Sequence, residues 1–234
     1  MTQDAMKFGI TQRFSCNYID NHEEQLLVCM SEPSELPKRY TQLLHAGFRR
    51  SGEQLYRPHC PNCNRCQSVR IIANEFKPSK SQKRILNKNK DLDVRFNSDE
   101  RDDYYPLYER YIEYFHADGT MFPPSYQQYS NFIRCQWQQP SFLEARDKSG
   151  ELRAIAITDI VGDGLSALYT YYCPEDRKRS LGKFMIMQQI KHAIEKRLPF
   201  VYLGYQIDDC QKMNYKTAFL PYQRLIDKKW QVFR

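Results

Sequence analysis

The order of apolar periods in the C-terminal half constrains the fold more than any other feature of the sequence. Two alternating segments, 152–158 and 165–172, are joined by Gly162-Asp163-Gly164, which is a hairpin signal. Apolar residues at three- and four-residue spacing then predict a helix, with the side chain of Ser180 as its N-terminal cap. The apolar run 199–203 predicts a buried strand after it. This order predicts an α+β C-terminal half.

The chain is long and apolar enough for a folded protein with a substantial core. It has 234 residues, of which 41% are hydrophobic and 14% aromatic, and this suits one large or two small domains. The acidic stretch Asp99 to Asp103 separates the predicted apolar segments. We therefore expect a domain boundary there, with domains at 1–98 and 99–234.

The sequence gives no sign of targeting or of a membrane segment. No stretch approaches 18 consecutive apolar residues, and the first residues lack the apolar run of a signal peptide. The eight cysteines are dilute in a chain of this length, so reduced thiols are expected rather than a disulfide scaffold. These features predict a cytoplasmic protein.

Basic residues are concentrated in one segment. Lysine and arginine number 35 against 28 acidic residues, a net charge of +7, which favours a polyanionic partner. The segment Lys77 to Lys90 holds six basic residues and no acidic one. A solvated helix face is the alternative interpretation. A non-catalytic RNA-binding module that uses this segment is one hypothesis for function.

The segment Cys60 to Cys66, which we call the cysteine knuckle, has the cysteine spacing of a metal site. Cys60, Cys63 and Cys66 lie three residues apart, and Cys16, His59 or Cys29 could supply a fourth ligand for zinc or an iron-sulfur cluster. The second CxxC of a zinc ribbon is missing. Three buried small apolar residues on a tight loop are the alternative.

A basic loop, Arg177-Lys178-Arg179-Ser180-Leu181-Gly182, enters the predicted helix, where free N–H groups and the helix dipole favour an anion. Its place between a strand and a helix is similar to that of the pyrophosphate loop in the acyltransferase superfamily of the GCN5-related N-acetyltransferases. Phe184 stands where the second glycine of that loop would be. An acyl-CoA-dependent N-acetyltransferase is therefore a second hypothesis.

A closer resemblance rests on motifs distributed over nearly the whole chain. They are Phe48-Arg49-Arg50-Ser51-Gly52, Tyr56-Arg57-Pro58-x-Cys60-Pro61-x-Cys63-x-x-Cys66, Phe76-x-Pro78-Ser79-x-Ser81-Gln82-x-Arg84, Asp163-Gly164-Leu165-Ser166-Ala167-x-Tyr169-Thr170, Arg179-Ser180-Leu181-Gly182, Tyr202-Leu203-Gly204-Tyr205-x-Ile207 and Cys210-x-Lys212-Met213-x-Tyr215-Lys216-x-x-Phe219. Together these motifs resemble those of the bacterial aspartate/glutamate leucyltransferases, which are relatives of the arginyl-tRNA-protein transferases.

The resemblance implies a fold, a reaction and partners. The fold would be an acyltransferase-like, GCN5-related N-acetyltransferase-like mixed sheet with flanking helices, preceded by a smaller N-terminal aminoacyl-transferase domain with the cysteine knuckle. The reaction would move leucine from leucyl-tRNA to an N-terminal Asp or Glu, marking the protein for degradation through the N-end rule and a downstream protease adaptor. No cofactor is required, although relatives bind an iron-sulfur cluster through an N-terminal CxxC. Here Cys16 is not followed by a second cysteine at that spacing.

This reaction sets the chemistry that the site needs. An aminoacyl ester is already activated, so the enzyme has to place an α-amine at the ester carbonyl, keep it neutral and stabilise the oxyanion. An α-amino pKa of about 7.7–8.0 leaves a substantial neutral fraction without a strong base. Polar groups near the strand end are therefore candidates for orienting amine and ester. They are Asp163, Tyr169, Tyr205 and Gln206.

Cationic side chains are candidates for binding the two substrates. An acidic acceptor residue requires a guanidinium or ammonium near the amine site. The candidates for this contact are Arg57, Arg70, Arg179 and Lys216. The candidates for tRNA phosphates are Lys77, Lys80, Lys83, Arg84, Lys88 and Lys90. The candidate metal ligands are Cys60, Cys63, Cys66 and Cys16.

Overall fold

The computed structural model describes residues 5–119, 121–210 and 213–234; Lys212 of the motif at 210–219 lies outside them. The α-helices are α1 (Leu36–His45), α2 (Lys80–Lys88), α3 (Tyr104–Phe115), α4 (Tyr126–Ile133) and α5 (Leu181–Glu195). The strands are β1 (Phe8–Ile10), β2 (Phe14–Ser15), β3 (Glu23–Glu24), β4 (Leu26–Cys29), β5 (Arg49–Ser51), β6 (Gln54–Pro58), β7 (Gln67–Ile72), β8 (Asp93–Asn97), β9 (Ser141–Arg146), β10 (Leu152–Val161), β11 (Gly164–Tyr172), β12 (Phe200–Gln206), β13 (Tyr222–Ile226) and β14 (Lys229–Phe233). No helix in the described ranges is long and apolar enough to cross a membrane.

A mixed eight-stranded sheet forms the centre of the molecule. Its strand order is β14-β13-β7-β12-β11-β10-β9-β8. The predicted hairpin is present as β10 and β11, and α5 connects β11 to the parallel strand β12, as expected for a crossover helix. The other pairs in this sheet are antiparallel. The predicted α+β class with a mixed sheet is confirmed.

Side chains alternate between the two faces of β10, so each face has its own core. Ile155 and Ile157 pack with helices α3 and α4 and with a set of buried tyrosines. Ala154 and Ala156 face α5, where Leu181, Phe184 and Met185 cover them. The small alanine side chains let this helix approach the sheet closely, whereas the isoleucines fill the wider space on the other face.

A smaller four-stranded sheet, in the order β1-β4-β6-β5, packs with α1 at one side of the large sheet. The apolar run that forms β4 lies inside this sheet, because β1 pairs with it on its outer side and β6 on the other. Strand β1 has only three residues, too few to show an alternating pattern in the sequence. Pro37 lies in the first turn of α1, where its missing N–H has no partner to lose.

Strand β7, which carries residues 67–72, lies inside the large sheet rather than beside it. It pairs with β12 on one side and with β13 on the other. The strand predicted at 199–203 is therefore internal to the sheet, because β7, β13 and β14 lie beyond β12. The domain boundary at 98/99 stays a prediction; β7 and β8, which precede it, share their sheet with strands that follow it.

A buried ion pair attaches the small sheet to the large one. Arg50 of β5 donates from Nε and Nη2 to the two carboxylate oxygens of Asp159 in β10, each at 2.7 Å, and both side chains are fully buried. Tyr40 of α1 donates to the same carboxylate at 2.7 Å. Arg50 Nη1 also donates to the carbonyls of Gly52 and Ile133, so both charged groups have hydrogen-bond partners inside the protein, as buried charges require.

Candidate active site

Strands β11 and β12 separate after a short stretch of pairing and open a gap in the large sheet, which we call the split. The two strands pair only at Gly164–Ser166 with Phe200–Tyr202. Beyond this point β11 continues with β10 and β12 continues with β7. Each pair has a register shift there, which leaves Leu168 and Leu203 as extra residues. Bulges bend the strand that carries them, so facing bulges turn the two strands apart.

Arg49 of β5 occupies the base of the split. Its guanidinium donates to Ser166 Oγ at 3.3 Å, to the carbonyl of Tyr202 at 3.5 Å and to the carbonyl of Ala167. These carbonyls belong to the two diverging strands, so one buried side chain bridges both. Gly204 has a φ of +82°, and a Cβ there would lie 3.4 Å from Arg49 Nε. Glycine thus provides both the backbone conformation and the space for the guanidinium.

Lys216 approaches the split from the 3₁₀ turn Asn214–Ala218. Its side chain is buried, with the residue only 4% exposed, and its ammonium donates to the carbonyl of Tyr205 and to Met213 Sδ at 3.0 Å. Burial and the positive charge of Arg49 lower the pKa of Lys216 to about 7, against smaller opposing effects of Cys210 and Cys66. The acceptor contact predicted for Lys216 stays a prediction.

Tyrosines line the split on the side of α3. Tyr169 lies in β11 just past the bulge, and its hydroxyl lies 3.7 Å from Met121 Sδ. Burial, followed by the neighbouring Tyr111 and Tyr108, raises the pKa of Tyr169 above its ordinary value. Tyr215, beside Lys216, is 40% exposed. The geometry therefore brings Tyr169 and Lys216, two of the predicted residues, to the same gap.

The other two candidates from β12 are placed differently. The hydroxyl of Tyr205 lies 3.0 Å from the carbonyl of Gly47 and 3.2 Å from that of Tyr56, so it supports the N-terminal part of the chain. Gln206, only 1% exposed, donates from Nε2 to Asp208 and Asn214. The backbone carbonyl of Tyr205, rather than its hydroxyl, faces the split through Lys216.

Buried polar atoms without a partner are concentrated near the end of β12. Within the described residues, Gln206 Oε1, Gln67 Oε1 and Arg224 Nε have none, although Gln67 and Gln206 are paired residues of neighbouring strands. Glu24 Oε2 and Arg57 Nε are also buried without a hydrogen-bond partner. Two more such atoms, Asn97 Nδ2 in β8 and Gln189 Oε1 in α5, lie elsewhere. Native interiors satisfy most buried polar atoms through protein groups, water or a ligand, so those near β12 are open to water or a ligand.

Arg57 of β6 borders a cavity with a volume of about 620 Å³. Its guanidinium carbon lies 5.5 Å from the centre of the Phe48 ring, and its Nε is buried without a partner. Leu27 and Phe8 supply further apolar lining, and the cysteine knuckle forms another wall. The cavity thus combines apolar walls with a guanidinium that can receive a carboxylate.

Asp163 and Arg70 belong to a different cluster, at the hairpin end of β11. Asp163 accepts hydrogen bonds from His45 Nε2 at 2.6 Å and from the hydroxyl of Tyr202 at 2.9 Å. Arg70 donates to Gln223 at 2.7 Å and lies between the rings of Phe200 and Trp230, at 3.7 and 4.2 Å from their centres. The structure therefore does not bring Asp163 together with Tyr169, and Arg70 is enclosed by aromatic rings.

Arg179 fixes the loop before α5 to the end of α2. It donates to Asn89 Oδ1 at 2.8 Å and to Asp91, while Lys88 Nζ donates to the carbonyl of Lys178 at 2.8 Å. Arg179 and Arg57 therefore contact different parts of the protein and share no partner among these contacts. Ser180 is the N-cap residue of α5, but its side chain makes no capping hydrogen bond and its φ is +56°. The predicted side-chain cap was wrong.

The basic segment forms an exposed surface beside the split. All six of its cationic side chains are exposed, and within the described residues none of them makes an ion pair. Gln82, on the opposite face of α2, donates to the carbonyl of Ala218 at 2.9 Å. Since Ala218 ends the turn that carries Lys216, the cationic face of α2 borders the approach to the split.

The thiols of the cysteine knuckle lie near one another and near Cys16. Burial, followed by the charges that Cys60, Cys16 and Cys63 would carry, raises the pKa of Cys66 to about 12. All eight cysteines are free. In the described part of the chain, no three side chains of His, Cys, Asp or Glu are arranged to hold a metal ion. The metal site proposed for these thiols stays a prediction.

Arg49 is the site residue that sequence reasoning missed. It lies in a recognised motif, but its hydrogen-bond partners are 117 to 153 residues away in the chain. No local pattern could have revealed this contact. The sequence offers one sign, two consecutive arginines in a recognised motif, and the structure buries both of them in β5.

Two family models cover most of the chain. "Arginine-tRNA-protein transferase, N terminus" matches residues 14–84, and "Arginine-tRNA-protein transferase, C terminus" matches residues 103–226. Among curated proteins, an aspartate/glutamate leucyltransferase of Aeromonas hydrophila is 46% identical over 232 residues, 99% of this chain and 97% of that protein. One of Pseudoalteromonas atlantica is 48% identical over 227 residues, 97% of each chain.

A search of solved structures finds more distant similarity. The C-terminal domain of a putative lysylphosphatidylglycerol synthetase from Agrobacterium fabrum has a TM-score of 0.45 and 12% identity, and covers 73% of this chain and 52% of that one.

Proposed function

The chain belongs to the arginine-tRNA-protein transferase family, and we infer that it transfers leucine from leucyl-tRNA to the N-terminal aspartate or glutamate of acceptor proteins. Its relatives are named aspartate/glutamate leucyltransferases and match it over nearly its full length. It is an aminoacyltransferase. The observation in the structure that best supports this reaction is the split, with Lys216 and Arg49 beside a cationic surface.

The split suits an aminoacyl ester. Beyond their paired stretch, β11 and β12 do not hydrogen-bond to each other, so an extended acyl group can lie between them. Arg49 and Lys216 place N–H donors of two buried side chains at this gap. An oxyanion that develops at the ester carbonyl would be stabilised by donors that are already fixed and shielded from water. The ester carries its own activation, so we propose that no cofactor takes part and that the thiols of the knuckle serve structure.

Arg57 suits the acidic side chain of the acceptor. The carboxylate of Asp or Glu has to leave water to enter the cavity, and the unpartnered Nε of Arg57 can receive it. Arg70 and Arg179 have partners in their own surroundings, Gln223 for the first and Asn89 for the second. We therefore place Arg57 first among the predicted acceptor contacts and keep Arg70 and Arg179 behind it.

The exposed face of α2 suits the RNA. Its cations have no acidic partner within the described residues, and α2 touches the turn that carries Lys216 through Gln82. Phosphates bound on this face would hold the acceptor stem where its 3′ end reaches the split. We propose the same six residues for this contact as the sequence indicated, namely Lys77, Lys80, Lys83, Arg84, Lys88 and Lys90.

The wider setting follows from the reaction. We propose that the fold is acyltransferase-like, since a split between two central strands with a helix crossing between them suits acyl transfer. We also propose a cytoplasmic location, because leucyl-tRNA is the donor and all eight cysteines are free thiols. The product would enter N-end rule degradation through an adaptor of a downstream protease. Capture of leucylated peptides by such an adaptor would test this last step.

A direct transfer assay tests the function. The protein is incubated with radiolabelled leucyl-tRNA and peptides that begin with Asp, Glu or Ala, and labelled peptide is measured. Label is expected on the Asp and Glu peptides and not on the Ala peptide. Arginyl-tRNA serves as the matched donor control, and acetyl-CoA as the control for acetyl transfer. Absence of label from leucyl-tRNA, or acetylation of the peptides, would reject the proposed function.

A further inference from the structure

In the part of the chain that the structure describes, Lys216 is a buried amine without an acidic partner. Its residue is 4% exposed, and its hydrogen-bond acceptors within the described residues are one backbone carbonyl and one thioether sulfur. Buried lysines normally pair with a carboxylate, because an isolated ammonium loses its hydration without compensation. An ammonium has three N–H donors, so one position on Nζ remains for a substrate.

The charged and titratable groups around Lys216 favour the neutral amine. Arg49, from β5, is the positive charge that acts on it, and Cys210 and Cys66 are the groups that oppose this effect. Tyr215, from the same turn, places its ring centre 5.6 Å from Nζ, and β12 contributes the Tyr205 carbonyl. A lysine that is desolvated beside another cation is the usual form in which this side chain becomes a base or nucleophile near neutral pH.

We propose that Lys216 is the catalytic base of the transfer, accepting a proton from the α-ammonium of the incoming acceptor residue within the split. This inference rests on the proposed function and deepens it. It also separates two roles that the cationic residues could share, because Arg57 receives the acceptor's carboxylate while Lys216 acts on its amine. The lysine lies at the carbonyl edge of β12, next to the gap where the ester is placed.

The step balances in protons and bonds. Neutral Lys216 takes one proton from the α-ammonium, and the freed amine forms a C–N bond to the leucyl carbonyl carbon. The ester C–O bond then breaks, and the ribose oxygen of the terminal nucleotide leaves with the proton that Lys216 received. The second proton of the amine nitrogen goes to solvent, the amide keeps the third, and Lys216 returns to its neutral form. No oxidant, metal or nucleotide is consumed.

Two substitutions distinguish a base from a fixed positive charge. Lys216→Met retains an unbranched side chain of similar length, and Lys216→Arg retains the charge but cannot be deprotonated near neutral pH. We expect both to lower kcat/KM for a Glu-peptide by about a hundredfold or more at pH 6.5, the usual contribution of a general base. The loss should shrink above about pH 8, where the α-amine is neutral in solution. Lys229→Met, at an exposed position, is the matched control.

Two further measurements complete the test. An acceptor peptide with an aminooxy group in place of the α-amine is neutral at pH 6.5, and its transfer should depend little on Lys216. Leucyl-tRNA binding and the thermal unfolding midpoint of each variant should match the wild type; if Lys216→Met does not fold, Lys216→Arg decides the matter.

The outcomes separate the inference from the function. Full activity of Lys216→Arg, or a Lys216→Met variant whose loss is the same at every pH, would overturn the base and indicate a charge or packing role. Failure of the wild-type protein to leucylate any peptide would instead refute the proposed function. A wild type that is active with a pH-dependent loss in both variants supports the base.

Discussion

Replacing Arg57 by methionine should remove the preference for acidic acceptors while leaving the fold intact. The methionine keeps an unbranched apolar stem against Phe48, whose ring centre lies 5.5 Å from the guanidinium, so packing is largely preserved. What is lost is a charged partner for the carboxylate of the acceptor. The Nε of Arg57 is buried and has no partner within the described residues, so no internal contact has to be broken when substrate binds.

The size of the effect follows from the strength of that contact. A hydrogen bond to a charged group contributes about 1.5–3 kcal/mol, and each 1.36 kcal/mol changes a rate ratio tenfold. The ratio of kcat/KM for a Glu-peptide to that for the matching Gln-peptide should therefore fall by roughly 13-fold to 160-fold. The loss should appear with the Glu-peptide, while the Gln-peptide changes little, since it makes no ion pair.

The assay compares acceptors rather than rates alone. Initial rates with leucyl-tRNA in excess are measured for Glu- and Gln-peptides, and leucyl-tRNA binding is measured separately. Arg70→Met and Arg179→Met are the matched controls, because both guanidinium groups already have partners in the protein. An Arg57→Met protein with the wild-type preference for Glu over Gln would refute this account, and loss of preference in one of the controls would transfer the role to that residue.

Three further predictions concern the rest of the molecule. Neutralising Lys80, Lys83 and Lys88 together should weaken tRNA binding and reduce the slope of log K against log salt concentration by roughly one unit for each lost phosphate contact. Lys196→Gln is the control. An unchanged slope in the triple variant would contradict the proposed phosphate contacts. Cys63→Ser should lower stability or metal content before it lowers turnover, and a folded variant with normal metal content but no activity would show that this thiol takes part in the chemistry. Arg50→Met leaves Asp159 buried without its partner and should cost about 3–5 kcal/mol, or a decrease of about 6–20 °C in Tm; the double variant Arg50→Met with Asp159→Leu should recover most of it, and a single variant with unchanged Tm would contradict the argument.

The sequence predicted the elements whose periods are long and local. The hairpin at Gly162-Asp163-Gly164 and the helix that follows it match β10, β11 and α5. The motifs predicted the family, which the comparisons confirm. They also named Tyr169, Tyr205, Gln206 and Asp163 as one group at a strand end, whereas the structure places the Tyr205 hydroxyl against the carbonyls of Gly47 and Tyr56 and Asp163 beside His45.

What the sequence could not predict is the pairing of distant strands. Strand β7 is a run of six residues that reads as a strand in any sheet, and nothing local shows that it lies beside β12. The facing bulges at Leu168 and Leu203 leave no pattern either, because a single extra residue breaks the alternation only once. The split and the contacts of Arg49 depend on these long-range features, so both had to come from the structure.

The position of β7 also explains why the split cannot be formed by the residues before position 98 or by those after it alone. The split requires β12 to turn away from β11, and β12 completes its hydrogen bonds in that region with β7. Arg49 at the base of the split comes from β5, whereas the carbonyls it bridges come from β11 and β12. The proposed acceptor cavity is also lined by residues from both parts of the chain, since Arg57 and Tyr205 both border it. Residues on both sides of position 98 therefore have to pack together before either the ester or the acceptor has a complete site.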